Sequence, residues 1–339
     1  NKSKPLKNRI NVVLTRNTNP SFKKEIEAYK DTYVKNDFSE ILEVSDLNDK
    51  DLSELIYSKK IHYLIDLAGY STGNRLQVFK NKPAPVQLSW LGYCNYTYID
   101  EIDYMVTDDN VIQKNFNLHN KIIKMPNIWN SLSKLDDVKN NELPFIKNKS
   151  FTFGCFNNFL KISRETIDTW GKILKKFNNS KLVLKNSVSA DKNYKKYLIE
   201  KFKNNIDENR ILILNYEKEK KKHLEHYLNI DLCLDTFPYN GVTTTFESLW
   251  MGVPVVTLKG EKFISRCGYS INKNAGLNDF IADSIEDYIT IALDSITPDG
   301  LEKLKNYRKN LRSKIISSSL FDVQNFTNNF INKLNKIEN

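Results

Sequence analysis

The stretch from Asp231 to Leu258, DLCLDTFPYNGVTTTFESLWMGVPVVTL, carries the residues best suited to chemistry. An apolar run ends at Asp235, and Pro238, Asn240 and Gly241 mark a turn. Threonines, among them Thr243 and Thr244, then open a helix. A helix N-terminus offers unpaired N–H groups and the positive end of the dipole. With two threonine hydroxyls added, that mouth suits a diphosphate. Glu247 lies one turn further in, where a carboxylate could accept from ribose hydroxyls. The same residues also describe an ordinary N-capped helix with an acid in its first turn.

A second candidate is FTFGCFNNFLKIS, residues 151 to 163. Lys161 follows a strand and an Asn-Asn turn, just before a helix that Ser163 can cap. An ammonium at the mouth of a strand can neutralise a leaving phosphate; the plainer reading is a surface lysine in a lysine-rich chain. The histidines are His62, His119, His223 and His226. His223 opens a helix leading into the Asp231 strand, from which it could stack on a base or touch a phosphate. His62 starts the strand Ile61–Leu67, where a histidine is more often structural than catalytic. Neither G-x-G-x-x-G nor G-x-x-x-x-G-K-[ST] occurs, which argues against dinucleotide dehydrogenases and P-loop NTPases.

Apolar runs alternating with helical patterns supply the frame, and imply parallel sheets with crossover helices. In the first half, Ile10–Leu14, Ile61–Leu67, Val86–Trp90 and Asp103–Val106 read as strands. Helices are expected around Ser21–Lys35 and from a cap at Ser45 through Ile56. Residues 131 to 149, polar with Asp-Asp, Asn-Asn and a proline, read as a linker. The pattern then restarts. Strands are expected at Phe151–Phe156, Lys181–Leu184, Arg210–Leu214, Asp231–Leu234 and Val253–Leu258. Helices are expected at Arg164–Phe177, Asp191–Lys203, Lys220–Leu228 and Thr244–Met251, followed by a largely helical C-terminus. The expected architecture is two α/β domains, residues 1–135 and 150–339, with a ligand cleft between them at the carboxyl ends of strands.

A net charge of +10 admits nucleic acid, an anionic membrane or an anionic substrate as partner. The lysines are dispersed, apart from a run at Lys218–Lys222 that reads as a solvated face, and no nucleic-acid recognition motif is present. No apolar run reaches the roughly 18 residues of a membrane span. Cys94, Cys155, Cys233 and Cys267 form no C-x-x-C pair or metal cage, which fits a reduced, cytoplasmic setting. Asp49-Lys50-Asp51 has the outline of a D-x-D metal motif but falls in a helix's first turn, where acids favour the dipole.

Taken together, DTFPYNGVTTTFESLWMGVPVVTL, FNNFLKIS and PAPVQLSWLGY (residues 83 to 93) resemble the protein O-GlcNAc transferase family, including its SPINDLY-type members. IDLAGYSTGNR, SRCGYS and ISSSLFD agree in order, so the resemblance spans roughly residues 50 to 335. It implies a GT-B fold of two Rossmann-like domains and metal-independent, inverting transfer of N-acetylglucosamine from UDP-GlcNAc to Ser/Thr hydroxyls of protein acceptors. It further implies that Lys161 holds the diphosphate, with Asn158 beside it and His223 against the uridine. Val242, Thr243 and Thr244 would present the helix mouth, and Glu247 would hold the ribose. His62 matches a histidine on the acceptor side, a candidate base; an oxygen of the donor phosphate is another.

Some positions depart from the family. Animal members carry histidine where this chain has Val242, so contact there would be through backbone alone. Cys94-Asn95-Tyr96 replaces a Pro-containing turn. The family's catalytic region begins with an earlier strand and a further histidine, so the chain is expected to be N-terminally incomplete, lacking also the tetratricopeptide repeats that help bind acceptors. Two alternatives follow: a catalytically silent UDP-sugar-binding scaffold, or SPINDLY-like O-fucosyl transfer from GDP-fucose.

Overall fold

The computed structural model describes residues 10–14, 38–112, 121–186 and 192–337. The chain divides into two units, one from residues 1–106 and 117–123, the other from residues 107–116 and 124–339.

In the first unit, β1 (Ile10–Leu14) and β2 (Phe38–Glu43) pair in parallel. α1 (Asp49–Ser58) precedes β3 (Tyr63–Asp66), and α2 (Leu76–Lys80) precedes β4 (Val86–Ser89). With β5 (Tyr104–Thr107) and β6 (Lys121–Lys124), β3 and β4 form a sheet ordered β3-β4-β5-β6. Leu52 and Ile56 of α1 pack with Val44 and Val78, while Leu76 and Phe79 pack with Ile99 and Ile102. Leu64 of β3 touches both groups.

The cap of α1 is Asn48, not Ser45: its side chain accepts from the Asp51 amide at 2.9 Å. Asp49 pairs with Arg75 at 2.5 Å. The Asp51 carboxylate accepts from the Asn48 side chain at 2.7 Å, so one acid of the Asp49-Lys50-Asp51 triplet closes the helix cap and the other holds Arg75. The helix expected around Ser21–Lys35 lies outside the described residues, as does His119.

The second unit contains α3 (Pro144–Asn148), β7 (Phe151–Cys155), α4 (Arg164–Lys176), β8 (Ser180–Leu184), α5 (Lys192–Phe202), β9 (Ile211–Ile213) and α6 (Lys220–Glu225). It continues with β10 (Leu232–Leu234), α7 (Thr243–Trp250), β11 (Val255–Leu258), α8 (Cys267–Ala275) and β12 (Ile281–Ala282). It ends with α9 (Ile285–Asp294), α10 (Pro298–Ile316) and α11 (Val323–Asn335). The sheet order is β12-β11-β10-β7-β8-β9, with every pair parallel. All five residues of β7 are buried, as expected of a central strand covered on both faces. From β7 the chain steps one way to β8 and β9, then returns to the other side through β10. The reversal between β7 and β10 is where an open parallel sheet forms a ligand crevice at its carboxyl edge.

Residues 131–143 are not a free linker. Leu132 donates to the Leu320 carbonyl at 3.0 Å, and the Asn140 side chain to that of Arg308 at 3.1 Å. Trp250 donates to the Asp136 carbonyl at 2.9 Å. Of the polar side chains that suggested a linker, Asn140 instead satisfies a backbone carbonyl of α10, and Asn141 that of Leu228 at 2.8 Å.

Candidate active site

The loops after β7 and β10 meet at this crevice. Asp235, just past the end of β10, is buried and organises them. Its Oδ1 accepts from the amides of Gly241 at 2.7 Å and Thr236 at 2.9 Å, and from the Asn157 side chain at 2.9 Å. Its Oδ2 accepts from the Thr257 hydroxyl at 2.8 Å. Burial pushes the carboxyl up to about 6, against the opposing pull of these donors and of Lys161. Asn157, equally buried, also donates to the Thr236 hydroxyl at 2.9 Å and accepts from the Thr244 hydroxyl. A side chain at Gly241 would overlap both Asn157 and Thr244, so only glycine lets the turn close onto α7.

Val242 is the N-cap of α7 and has no side-chain oxygen to offer, so no side chain caps the helix. Thr243 at the mouth is exposed. The hydroxyls behind it are committed: Thr244 to Asn157, and Thr245 to the Gly241 carbonyl at 3.2 Å. The mouth therefore offers backbone amides together with the exposed Thr243 residue, while the Thr244 hydroxyl, the other one expected, is already engaged by Asn157.

Lys161 closes the short 3-10 turn Phe159–Lys161 that Asn158 caps, the Asn158 side chain accepting from the Leu160 amide at 3.0 Å. The Lys161 ammonium donates to the Asn240 carbonyl at 2.8 Å and lies 3.9 Å from the centre of the Tyr239 ring. A cation is thereby held against the turn that leads into α7. Ser163 caps α4, accepting from the Thr166 amide at 3.0 Å, and donates to the Phe237 carbonyl at 2.8 Å.

His223 sits in the last turn of α6 rather than at its start, because α6 begins at Lys220. Its Nε2 is 3.1 Å from Glu247 Oε2, which also accepts from the Tyr227 hydroxyl at 3.2 Å. Its Nδ1 is 2.5 Å from Nζ of Lys185, a lysine that the spacing of the sequence did not bring forward. Phe156 lies edge-on to the imidazole at 6.0 Å between ring centres.

Asn158, Lys161, His223, Val242, Thr243, Thr244 and Glu247 thus share the carboxyl edge of one sheet. His62 belongs to the other unit, exposed beside the amino end of β3, where its carbonyl accepts from the Val86 amide at 3.2 Å. Among the described residues no group of three or more His, Cys, Asp or Glu side chains is placed to hold a metal ion.

A model of glycosyl transferase family 41 matches residues 7–129 and 138–330. A barley (Hordeum vulgare) protein named probable UDP-N-acetylglucosamine–peptide N-acetylglucosaminyltransferase SPINDLY is 32% identical over 285 residues, covering 83% of this chain and 30% of its own length. The Arabidopsis thaliana protein named SEC, described in the same terms, is 29% identical over 314 residues. The chain spans about a third of such relatives. Among solved structures, a mutant of Thermobaculum terrenum O-GlcNAc transferase matches with a TM-score of 0.81 at 25% identity, over 97% of this chain and 68% of that one. Anabaena HepE in complex with UDP-glucose shares the fold alone, with a TM-score of 0.60 at 12% identity over 96% of this chain and 91% of that one. The α/β, GT-B class expected from the sequence is that of these folds. With the family model covering both units and the Asp231–Leu258 segment at the centre of the crevice, the chain belongs to glycosyl transferase family 41.

Proposed function

We propose that the chain carries the donor site of an inverting glycosyltransferase that moves N-acetylglucosamine from UDP-GlcNAc to Ser/Thr hydroxyls of protein acceptors. The observation that carries this reading is the uncapped mouth of α7 with the Lys161 ammonium bound to the turn before it. Amides at a helix start and a fixed cation form an anion site for a diphosphate. The His223–Glu247 pair beside it suits the nucleoside: an imidazole face for the base and a carboxylate for ribose hydroxyls. The names of the relatives, UDP-N-acetylglucosamine–peptide transferases, support the same donor and acceptor.

In this mechanism an acceptor hydroxyl attacks the anomeric carbon from the face opposite UDP. The bond from that carbon to the diphosphate oxygen breaks, and its electron pair leaves with UDP. Charge accumulates on the diphosphate, where the α7 amides and Lys161 stabilise it. The hydroxyl proton passes to a base, either His62 or an oxygen of the donor phosphate. No metal takes part. A tetratricopeptide region ahead of this chain in the whole protein would help bind the acceptor. A cytoplasmic setting agrees with the four cysteines, all buried and none in a disulfide. No helix among the described residues is long and apolar enough to cross a membrane.

Calorimetry with UDP, followed by labelling of a Ser/Thr peptide from radioactive UDP-GlcNAc or GDP-fucose, tests the reading. The expected result is UDP binding with labelling from UDP-GlcNAc. Labelling from GDP-fucose alone would replace the donor. UDP binding without hydrolysis or labelling would make the site a silent binder.

A further inference from the structure

Lys185 follows β8 directly, with its amide on the Cys155 carbonyl at 3.2 Å, and it is only 1% exposed. A buried lysine needs a reason, because leaving an ammonium without partners in a protein interior is costly. Its surroundings name one: Nζ lies 2.5 Å from His223 Nδ1, with the rings of Phe156 and Tyr216 within 6.0 Å. On the far side of the same imidazole, Nε2 faces Glu247 Oε2 at 3.1 Å.

An ammonium has three donors and no acceptor, so a nitrogen it contacts must be an unprotonated acceptor. A neutral imidazole with Nδ1 accepting carries its proton on Nε2, which is the proton Glu247 requires. We infer that Lys185 is a positioning residue: it fixes His223 as the Nε2–H tautomer, and through His223 it orients Glu247. Tyr227 completes the arrangement, its hydroxyl reaching Glu247 Oε2 and, at 3.3 Å, the Thr244 carbonyl on α7. The chain of contacts therefore runs from the end of β8 to the helix whose mouth binds phosphate. Lys185 is itself buried, so its effect on a ligand passes through His223 rather than direct contact.

The inference rests on the reading that His223 and Glu247 hold the donor nucleoside, but its first test does not. Nitrogen NMR of the histidine-labelled, unliganded chain, with the His223 signals identified by their loss in His223→Gln, is expected to show a protonated Nε2 and a bare Nδ1. In Lys185→Met the His223 signals should move to a tautomer mixture. An imidazolium or an Nδ1–H tautomer in the wild type, or signals unchanged by Lys185→Met, would overturn the inference. Should Lys185→Met not fold, the wild-type spectrum still decides.

Calorimetry with UDP supplies the second arm. Lys185→Met is expected to weaken UDP roughly 10- to 100-fold, the range for losing a hydrogen bond to a charged group. In a His223→Ala background the same change should cost nothing further, because coupled residues are non-additive. Additive losses would mean that Lys185 acts elsewhere. Failure of the wild type to bind UDP would remove the donor reading while leaving the tautomer result to stand or fall on the NMR.

Discussion

Lys161 and Asp235 show how differently two charged side chains can serve one loop. Lys161 holds its charge at the surface of the Asn240–Gly241 turn, where an incoming anion can meet it. Stabilisation of developing charge by one such group is worth roughly 100- to 1000-fold in rate. Lys161→Ala is therefore expected to cut transfer from UDP-GlcNAc by about that factor; near wild-type turnover would exclude the role. Asp235 and Asp231 are buried acids whose oxygens accept from their surroundings. Asp231, which accepts from the amides of Phe145 and Thr152, is pushed by burial up to about 6 from its ordinary 3.8. A folded pKa above the unfolded one means that the native state binds the proton more tightly. The contribution of Asp231 to stability is thus fully present below about pH 4 and is lost as pH rises through about 6. Urea unfolding at pH 4 and pH 7 should show wild type losing stability relative to Asp231→Asn over that interval. A difference that stays constant would contradict the assignment.

At the scale of elements, the site is a turn clamped between two strand ends. Gly241→Ala is expected to push Asn157 and Thr244 apart, costing about 1–3 kcal/mol of stability, as overpacking of a tight site does. UDP affinity should fall with it. Thermal melting and calorimetry check both, and an unchanged affinity would mean that the turn does not set the mouth of α7. Much of this was legible in the sequence. The strand ending before Asp235, the helix after Gly241 and the Ser163 cap follow from apolar runs, turn residues and capping chemistry, which are local. β2, β6 and the five-residue α2 were not legible: KIIK is too short and charged, and LQVFK holds little more than one helical period. Asn157 and Lys185 were missed because their roles come from partners far along the chain, Asp235 and His223. The one local signal for Lys185 was a charge directly after the apolar run of β8.

At the scale of the whole molecule, the C-terminal helices belong to the same structure as the site. Arg308 of α10 is buried and donates to the carbonyls of Met251 at 3.0 Å, Tyr227 at 3.4 Å and Ile230, tying α10 to the chain on both sides of β10. Arg308→Met should cost about 3–5 kcal/mol in urea unfolding, because three carbonyls lose their donor and Asp231 loses a nearby positive charge. A loss below 1 kcal/mol would show that solvent replaces the guanidinium. The family assignment covers both units, and the chemistry assigned to the second depends on a diphosphate lying between Lys161 and the start of α7. A crystal structure of the chain with UDP tests that directly. The expected result is a diphosphate on the amides of Thr243 and Thr244, within hydrogen-bond reach of the Lys161 ammonium. UDP bound elsewhere, or an empty helix mouth at saturating UDP, would contradict it.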